Sequence, residues 1–498
     1  MGSAINSLIE KGVLVSPELI EQEIDDSLVK EITDFFGDSL DYLDKEIIDN
    51  FQKQKTKEEE NKLIITQTYN NPPKKRTYQD FVNVFNNRYN NIASILRTRR
   101  ELEGTTTISR LKDMPNERVS MIGMIQDKNY TKNQAIILAL EDPTGIVTVI
   151  IRKDDNNKEL YDTANDLVLD EVIGVTGKTS GNAVFADNII FPDIPLNKEL
   201  KKGPKEEYLV CLGDTHFGTN VFMEKEFRKF IDWINCRAGS EEQKNVARKV
   251  KYLVLTGDIV EGVGVYPSQE EDLEIKDITE QYEEAAKWIK QIPSHIKIII
   301  TTGNHDAGRL SEPQEPPPRE FSQALWDIPN VTMISNPGYV NIGKTKDFPG
   351  FDLLLYHGGS LIYYADNIPS IRSAGGQKRS DLIMKFLLQR RHLAPTHGST
   401  LYLPDAEKDY LLIDLVPDFF ITGHIHRSSV SDYRGVSMIN ASCWTETTDD
   451  QVKRGLEPLP ARVTLINLKT RQPKIMNYLT KEAKEKEQEK AKQAKQLD

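Results

Sequence analysis

Tyr252-Leu-Val-Leu-Thr-Gly-Asp258 is an apolar run that stops on a glycine and a carboxylate. Its aromatic and β-branched content and its shortness predict a buried strand, and the glycine leaves the Asp258 carboxylate free at the strand's carboxyl end. The same grammar recurs four times. Tyr208-Leu-Val-Cys-Leu precedes Gly213-Asp214-Thr-His216, and Ile296-Lys-Ile-Ile-Ile-Thr precedes Gly303-Asn304-His305-Asp306. Asp352-Leu-Leu-Leu-Tyr precedes His357-Gly, and Phe419-Phe-Ile-Thr precedes Gly423-His424-Ile-His426. Amphipathic helices are predicted between them over residues 224–237, 278–292 and 382–391. The pattern predicts an α/β domain of stacked β-sheets flanked by helices, with polar groups gathered where the strands end.

Five of the eight histidines fall inside these motifs. Asp214 and His216, two apart on an extended loop, point the same way and can hold one ion. His424 and His426 share that spacing, and a sharp turn there hands each to a different ion. Asp258 is placed to bridge two ions roughly 3.5–4 Å apart. Asn304 adds a neutral carbonyl oxygen and His357 an imidazole. Two divalent ions against two carboxylates leave positive charge that suits an anionic phosphodiester. Imidazole, carboxylate and amide oxygen without thiolate favour manganese, with iron, cobalt and zinc compatible. A metal-bound hydroxide is the expected nucleophile. His305 is left over as the catalytic residue that protonates the leaving oxygen or stabilises charge. Asp306 is expected to hold its imidazole in one tautomer. Glu261 reads as a solvated loop carboxylate, with a hydrogen bond to one of the ligands as the alternative, and His295, His392 and His397 as ordinary packing or surface residues.

Ahead of this domain, which is taken as residues 205–478, the texture changes. Residues 115–200 carry five short strand-like runs, with a helical stretch near Leu160–Asp166 before the fourth. That order predicts a five-stranded OB-fold barrel. Its strands carry almost no aromatics beyond Phe185, which favours a structural or docking role over strand binding. Residues 77–114 read as a basic amphipathic helix and connector; nine basic against four acidic residues lie between Lys74 and Asp113. Residues 51–76 are polar, charged and end in Pro72-Pro73, which reads as a flexible linker. Residues 1–50 have helical apolar spacing and hold thirteen acidic residues against three lysines, so a small acidic helical module is expected. Residues 479–498 form a polar tail, a frayed helix or disorder.

The net charge of −12 therefore sits almost wholly in the first module and does not oppose DNA binding elsewhere. Cys211, Cys236 and Cys443 lie far apart without Cys-x-x-Cys spacing, which fits a reducing, cytoplasmic setting and excludes a zinc ribbon. No apolar run is long enough for a membrane span, and the first residues lack a secretory pattern.

The motif series resembles the calcineurin-like metallophosphoesterase superfamily. More narrowly, the chain is similar to the small subunits of archaeal family D DNA polymerases, through Gly257-Asp258-Ile-Val-Glu-Gly262, Gly303-Asn304-His305-Asp306-Ala-Gly308, Arg390-Arg-His-Leu-Ala-Pro395 and Val416-Pro-Asp-Phe-Phe-Ile-Thr-Gly-His-Ile-His426. The resemblance covers roughly residues 80–475. It implies one ion among Asp214, His216, Asp258 and His426, a second among Asp258, Asn304, His357 and His424, and a catalytic His305. It further implies 3′→5′ exonucleolytic proofreading of DNA and a large polymerase subunit as partner, with a sliding clamp or primase reached through the complex. A repair nuclease of the same superfamily and a catalytically idle adaptor are the competing readings. The loop after His357, Gly358-Gly359-Ser-Leu-Ile-Tyr-Tyr, departs from the pattern.

Overall fold

A computed structural model of the chain describes residues 3–21, 26–37, 40–51, 63–154, 157–405, 407–454 and 456–494. It divides into two compact units, residues 1–64 with 342–350 and residues 65–341 with 351–498.

In the first unit the helices Ser3–Glu10, Pro17–Glu21 and Asp26–Phe36 and a helical segment at 45–51 turn their apolar residues inward. Ile5, Leu8, Leu19, Val29, Ile32, Leu43 and Phe51 form its own core. The expected all-helical module needs one correction. Leu14–Val15 (β1) and Tyr42–Leu43 (β2) pair as a short parallel ladder. Two-residue strands leave no periodic trace in a sequence, so helical spacing masked them.

The second unit opens at Ile65, within the strand Ile64–Gln67 (β3). The flexible linker expected over 51–76 therefore ends before residue 64; its stretch 52–62 lies outside the described residues. Ile64-Ile-Thr is β-branched and joins a sheet edge. Tyr69 behind it is fully buried, donates its backbone N–H to Ser335 Oγ at 2.7 Å, and lies under the Arg309 guanidinium at 4.8 Å.

Arg118–Tyr130 (β4), Ile136–Asp142 (β5), Gly145–Ile151 (β6), Val172–Ser180 (β7) and Ala183–Ile190 (β8) close into a barrel in the order β4-β5-β6-β8-β7. The helix Lys158–Asn165 links β6 to β7. This is the OB-like barrel the run order predicted. Alternate residues such as Ile136, Leu138 and Leu140 fill its interior. The helix Tyr78–Arg97 lays Tyr89, Ile92, Ala93 and Leu96 against Ile122, Met124, Val172 and Ile190 of the barrel wall. On the same buried face Arg88 is 3.0 Å from Asp409 and donates to the Pro395 carbonyl, and His392 Nε2 is 2.8 Å from the same carboxylate. That helix face is a packing surface.

Two six-stranded sheets follow, built from β3 with Tyr208–Leu212 (β9), Val250–Leu255 (β10), Lys297–Ile300 (β11), Val331–Met333 (β12), Gly338–Ile342 (β13), Phe351–Leu355 (β14), Phe419–Thr422 (β15), Ser429–Tyr433 (β16), Val436–Asn440 (β17), Arg462–Asn467 (β18) and Pro473–Asn477 (β19). One runs β12-β11-β10-β9-β18-β19, the other β16-β17-β15-β14-β13-β3. Val210, Leu212, Leu253, Leu255, Ile298 and Ile300 pack under the helices Glu224–Ile234 and Ile278–Ile289. Leu209, Cys211, Tyr252, Val254 and Ile299 on the alternate face are equally buried. Burial on both faces is why these strands read as unbroken apolar runs. Neighbours β9, β10 and β11 are parallel, as are β14 and β15, so all five motifs leave carboxyl ends of parallel strands. The expected polar tail is helical over Lys481–Ala494. Ala483 is buried and Glu487 accepts from the Thr447 backbone N–H, which ties one side of an otherwise polar helix down. Among the described residues no helix is long and apolar enough to cross a membrane.

Candidate metal centre

The loops after the five strands are tight. Asp214, His216, Asp258, His424 and His426 all have left-handed backbones, with φ of 50°, 48°, 47°, 68° and 57°. Residues of this kind hold such a conformation only when their surroundings impose it, and the strain gathers at functional loops. The glycines in the motifs make the close approach possible. A Cβ on Gly303 would stand 2.2 Å from Asp258 Oδ1, and one on Gly423 would stand 2.6 Å from Asp214 Oδ2.

All seven expected ligands meet at these loop tips. Asp214, His216 and His426 bring one donor atom each within 4.8 Å of one another, and so do Asp258, His357 and His424. His216, Asp258 and His305 form a third such trio. His426 Nε2 faces His216 Nε2 at 3.2 Å and Asp214 Oδ1 at 3.7 Å. In the other group His357 Nε2 lies 2.9 Å from Asn304 Oδ1, 3.2 Å from His424 Nδ1 and 3.3 Å from Asp258 Oδ2. The two histidines of Gly423-His424-Ile-His426 thus turn to different groups.

The residues around these groups fix which ring nitrogen faces inward. His357 Nδ1 is 2.8 Å from the Thr256 carbonyl, and its backbone N–H donates to Asn336 Oδ1 at 2.8 Å. His216 Nδ1 is 2.9 Å from Glu261 Oε2. A ligating histidine ordinarily has its outer nitrogen bound to a carbonyl or carboxylate in this way. Glu261 is only 6% exposed, so the solvated-carboxylate reading is overturned. Nothing in the residue type or spacing marks it, because the turn that brings it onto His216 is a property of the folded loop.

Asp306 also departs from expectation. Its Oδ1 accepts from the Ile259 N–H and the Tyr282 hydroxyl, and its Oδ2 from the Gly303 N–H. It pins the Asp258 and His305 loops together. The His305 ring is held instead by the Glu261 carbonyl, 2.8 Å from Nδ1, which leaves Nε2 available. Four donors around one carboxylate, the Val260 N–H being the fourth, outcompete a neighbouring side chain that the loop turns away.

The charges explain why cations belong here. Burial and the nearby Asp258 carboxylate push the Asp306 carboxyl up to about 7. Burial likewise raises Asp214 to about 7, while Asp258, despite burial, is held well below the usual range by His357 and His305. Burial would lower His216 and His357, but Glu261 and Asp258 override it and raise them to about 9 and about 10. His424 falls to about 3 under burial and its neighbour His357. Among the described residues no lysine or arginine pairs with Asp214 or Asp258. His426 Nδ1 is buried without a hydrogen-bond partner. Imidazole nitrogens that face each other at 3.2 Å over buried carboxylates fit divalent cations between them.

Fold and motif geometry together define a calcineurin-like phosphoesterase domain, and the family model of that description matches residues 208–428. The chain is 38% identical over 404 residues to the DNA polymerase II small subunit of Methanothermobacter thermautotrophicus, covering 81% of this chain and 80% of that one. It is 40% identical to the corresponding subunit of Archaeoglobus fulgidus, covering 78% and 75%. With that of Thermoplasma acidophilum it shares 32% identity over 96% of this chain and 93% of the relative. The chain belongs to the family of archaeal DNA polymerase II small subunits.

Proposed function

We propose that this chain is the 3′→5′ exodeoxyribonuclease of a two-subunit DNA polymerase, with a large polymerase subunit as its partner. The observation that carries the reading is the gathering of four histidines, two aspartates and Asn304 at one set of loop tips, with His305 at the rim and its Nε2 unclaimed. Asp214, His216, Asp258, Asn304, His357, His424 and His426 would hold two divalent ions, manganese before iron, cobalt or zinc, which would supply Lewis acidity and make hydroxide available near neutral pH. The chain's own part is positional. Asp258 joins the two groups of donors, Glu261 and the Thr256 carbonyl orient His216 and His357, and buried walls exclude bulk water. The His305 side chain is 17% exposed, as His426 is at 16%, and it is His305 whose Nε2 is left to face a substrate. Its Nδ1 faces a carbonyl, so Nδ1 carries hydrogen and Nε2 exchanges a proton with the leaving 3′ oxygen.

The test is degradation of a 5′-labelled strand with a mismatched 3′ end, with manganese, by the chain and by Asp258→Ala. Stepwise shortening that the variant loses supports the reading. Intact activity in Asp258→Ala contradicts the site, and an inert wild type bound to its large subunit supports the idle adaptor instead.

A further inference from the structure

The loop that follows Asp258 carries an aromatic face that the phosphate chemistry does not use. Gly262-Val263-Gly264-Val265-Tyr266 turns directly over the catalytic histidine: a Cβ on Gly262 would stand 2.3 Å from the His305 carbonyl oxygen. Gly262 and Gly264 have φ of 78° and 75°, which only glycine adopts freely. The turn lifts Val263 to 52% and Tyr266 to 38% exposure, and the Tyr266 ring lies 6.3 Å from the His305 ring, inclined by 61°.

This loop is held rigidly. The Tyr266 hydroxyl lies 3.1 Å from Glu261 Oε1 and 3.0 Å from Asp272 Oδ2. Val265 N–H donates to Gln269 Oε1, Gln269 Nε2 donates to the Glu261 carbonyl, and Gly262 N–H donates to Gln281 Oε1. The polar end of the tyrosine is fixed and its apolar ring is left open to solvent beside the reacting centre. Hydrolysis of a phosphate ester needs no such surface. A nucleobase attached to that phosphate does, since an aromatic face accepts any base by stacking.

We infer that Tyr266, with Val263 beside it, is a base-binding subsite that takes the unpaired terminal nucleobase of the strand being shortened. The inference rests on the nuclease reading above and deepens it. A base in a duplex is stacked on its neighbours and paired, so it reaches the ring only after unstacking; a mismatched or frayed base does so at lower cost. The subsite would thereby favour frayed 3′ ends over paired ones without any contact to a base edge.

The experiment compares, in manganese, cleavage of two 3′-terminal single strands that differ only at the last nucleotide, one with its base and one abasic. Wild type is expected to prefer the strand with its base by about five- to hundred-fold in kcat/KM, the range of one base–aromatic stack. Tyr266→Ala should bring that ratio to near one. Tyr266→Phe, which removes the hydroxyl contacts and keeps the ring, should preserve it. A ratio unchanged in Tyr266→Ala, or lost equally in Tyr266→Phe, overturns the subsite and makes the tyrosine a support for Glu261. A wild type that hydrolyses bis(p-nitrophenyl) phosphate but neither strand overturns the nuclease reading and the subsite with it. Wild type that cleaves both strands equally well overturns the subsite alone.

Discussion

At the scale of single residues, the motifs give ligand identity but not ligand support. Asp214, His216, Asp258, Asn304, His357, His424 and His426 are legible as candidate ligands because metal donors must be particular residue types at short spacings beside glycine. Glu261 and Asp306 are not, since what each touches depends on how two loops cross. Asp306 is adjacent to His305 in sequence yet bonds Ile259, Gly303 and Tyr282. Glu261 stands beside His216 although they are far apart along the chain. Glu261→Gln keeps the shape and removes the charge, so it should weaken manganese binding by about 10- to 100-fold, read by metal titration. Unchanged affinity would reduce Glu261 to a loop anchor. Removal of the metals is a second residue-level test, because an ion bound by the folded chain alone adds to its stability by mass action. A chelator should lower the melting temperature of wild type, where ions at 100 times their dissociation constant contribute about 2.7 kcal/mol. The same chelator should leave Asp258→Ala, which lacks the carboxylate shared by both groups, nearly unmoved in differential scanning fluorimetry.

At the scale of elements, the five strands that carry the motifs were readable because both sheet faces are buried, and the barrel followed from its five runs and one helix. The pair β1–β2 escaped for lack of length, the edge strand β3 because it sits in a polar, charged stretch, and β12, β13 and β16–β19 because no motif marks their ends. The role of the helix Tyr78–Arg97 escaped for a different reason. Its basic character suggests a solvated face, but Arg88 points inward to Asp409. Arg88→Met strands a buried carboxylate and should destabilise the protein by about 3–5 kcal/mol in denaturant unfolding, whereas an exposed arginine of that helix such as Arg97 should matter little. The same cluster sets a pH dependence. Burial and Arg88 lower His392, so it stays neutral in the folded protein and takes up a proton on unfolding below about 6.5. Asp409, against burial, is held below the usual carboxylate range by His392 and Arg88, so its contribution is lost only at still lower pH. A depressed folded pKa means stability present at higher pH and lost as pH falls. The stability owed to a neutral His392 should therefore be lost between pH 7 and pH 5, so the melting temperature of His392→Gln should drop less than that of wild type over the same interval.

At the scale of the whole molecule, the chain belongs to a polymerase small-subunit family and carries a phosphoesterase domain behind an OB-like barrel. Composition alone hides this, since the overall charge is negative. Its acidity is local, with thirteen of the acidic residues in the first 50. Fold class and family are legible in the sequence because five strand-end motifs in one order leave few alternatives. The direction of attack on DNA is not legible, because no ligand distinguishes a 3′ from a 5′ end. The central claim is that these loop tips hydrolyse DNA from the 3′ end with His305 as the proton-transfer group. The most direct measurement follows a strand labelled first at its 5′ and then at its 3′ end, with wild type and His305→Ala, after metal analysis of both proteins. The account predicts a 3′→5′ ladder that falls by about 10²- to 10⁴-fold in His305→Ala at unchanged metal content. Shortening from the 5′ end alone, or full activity in His305→Ala, would contradict it.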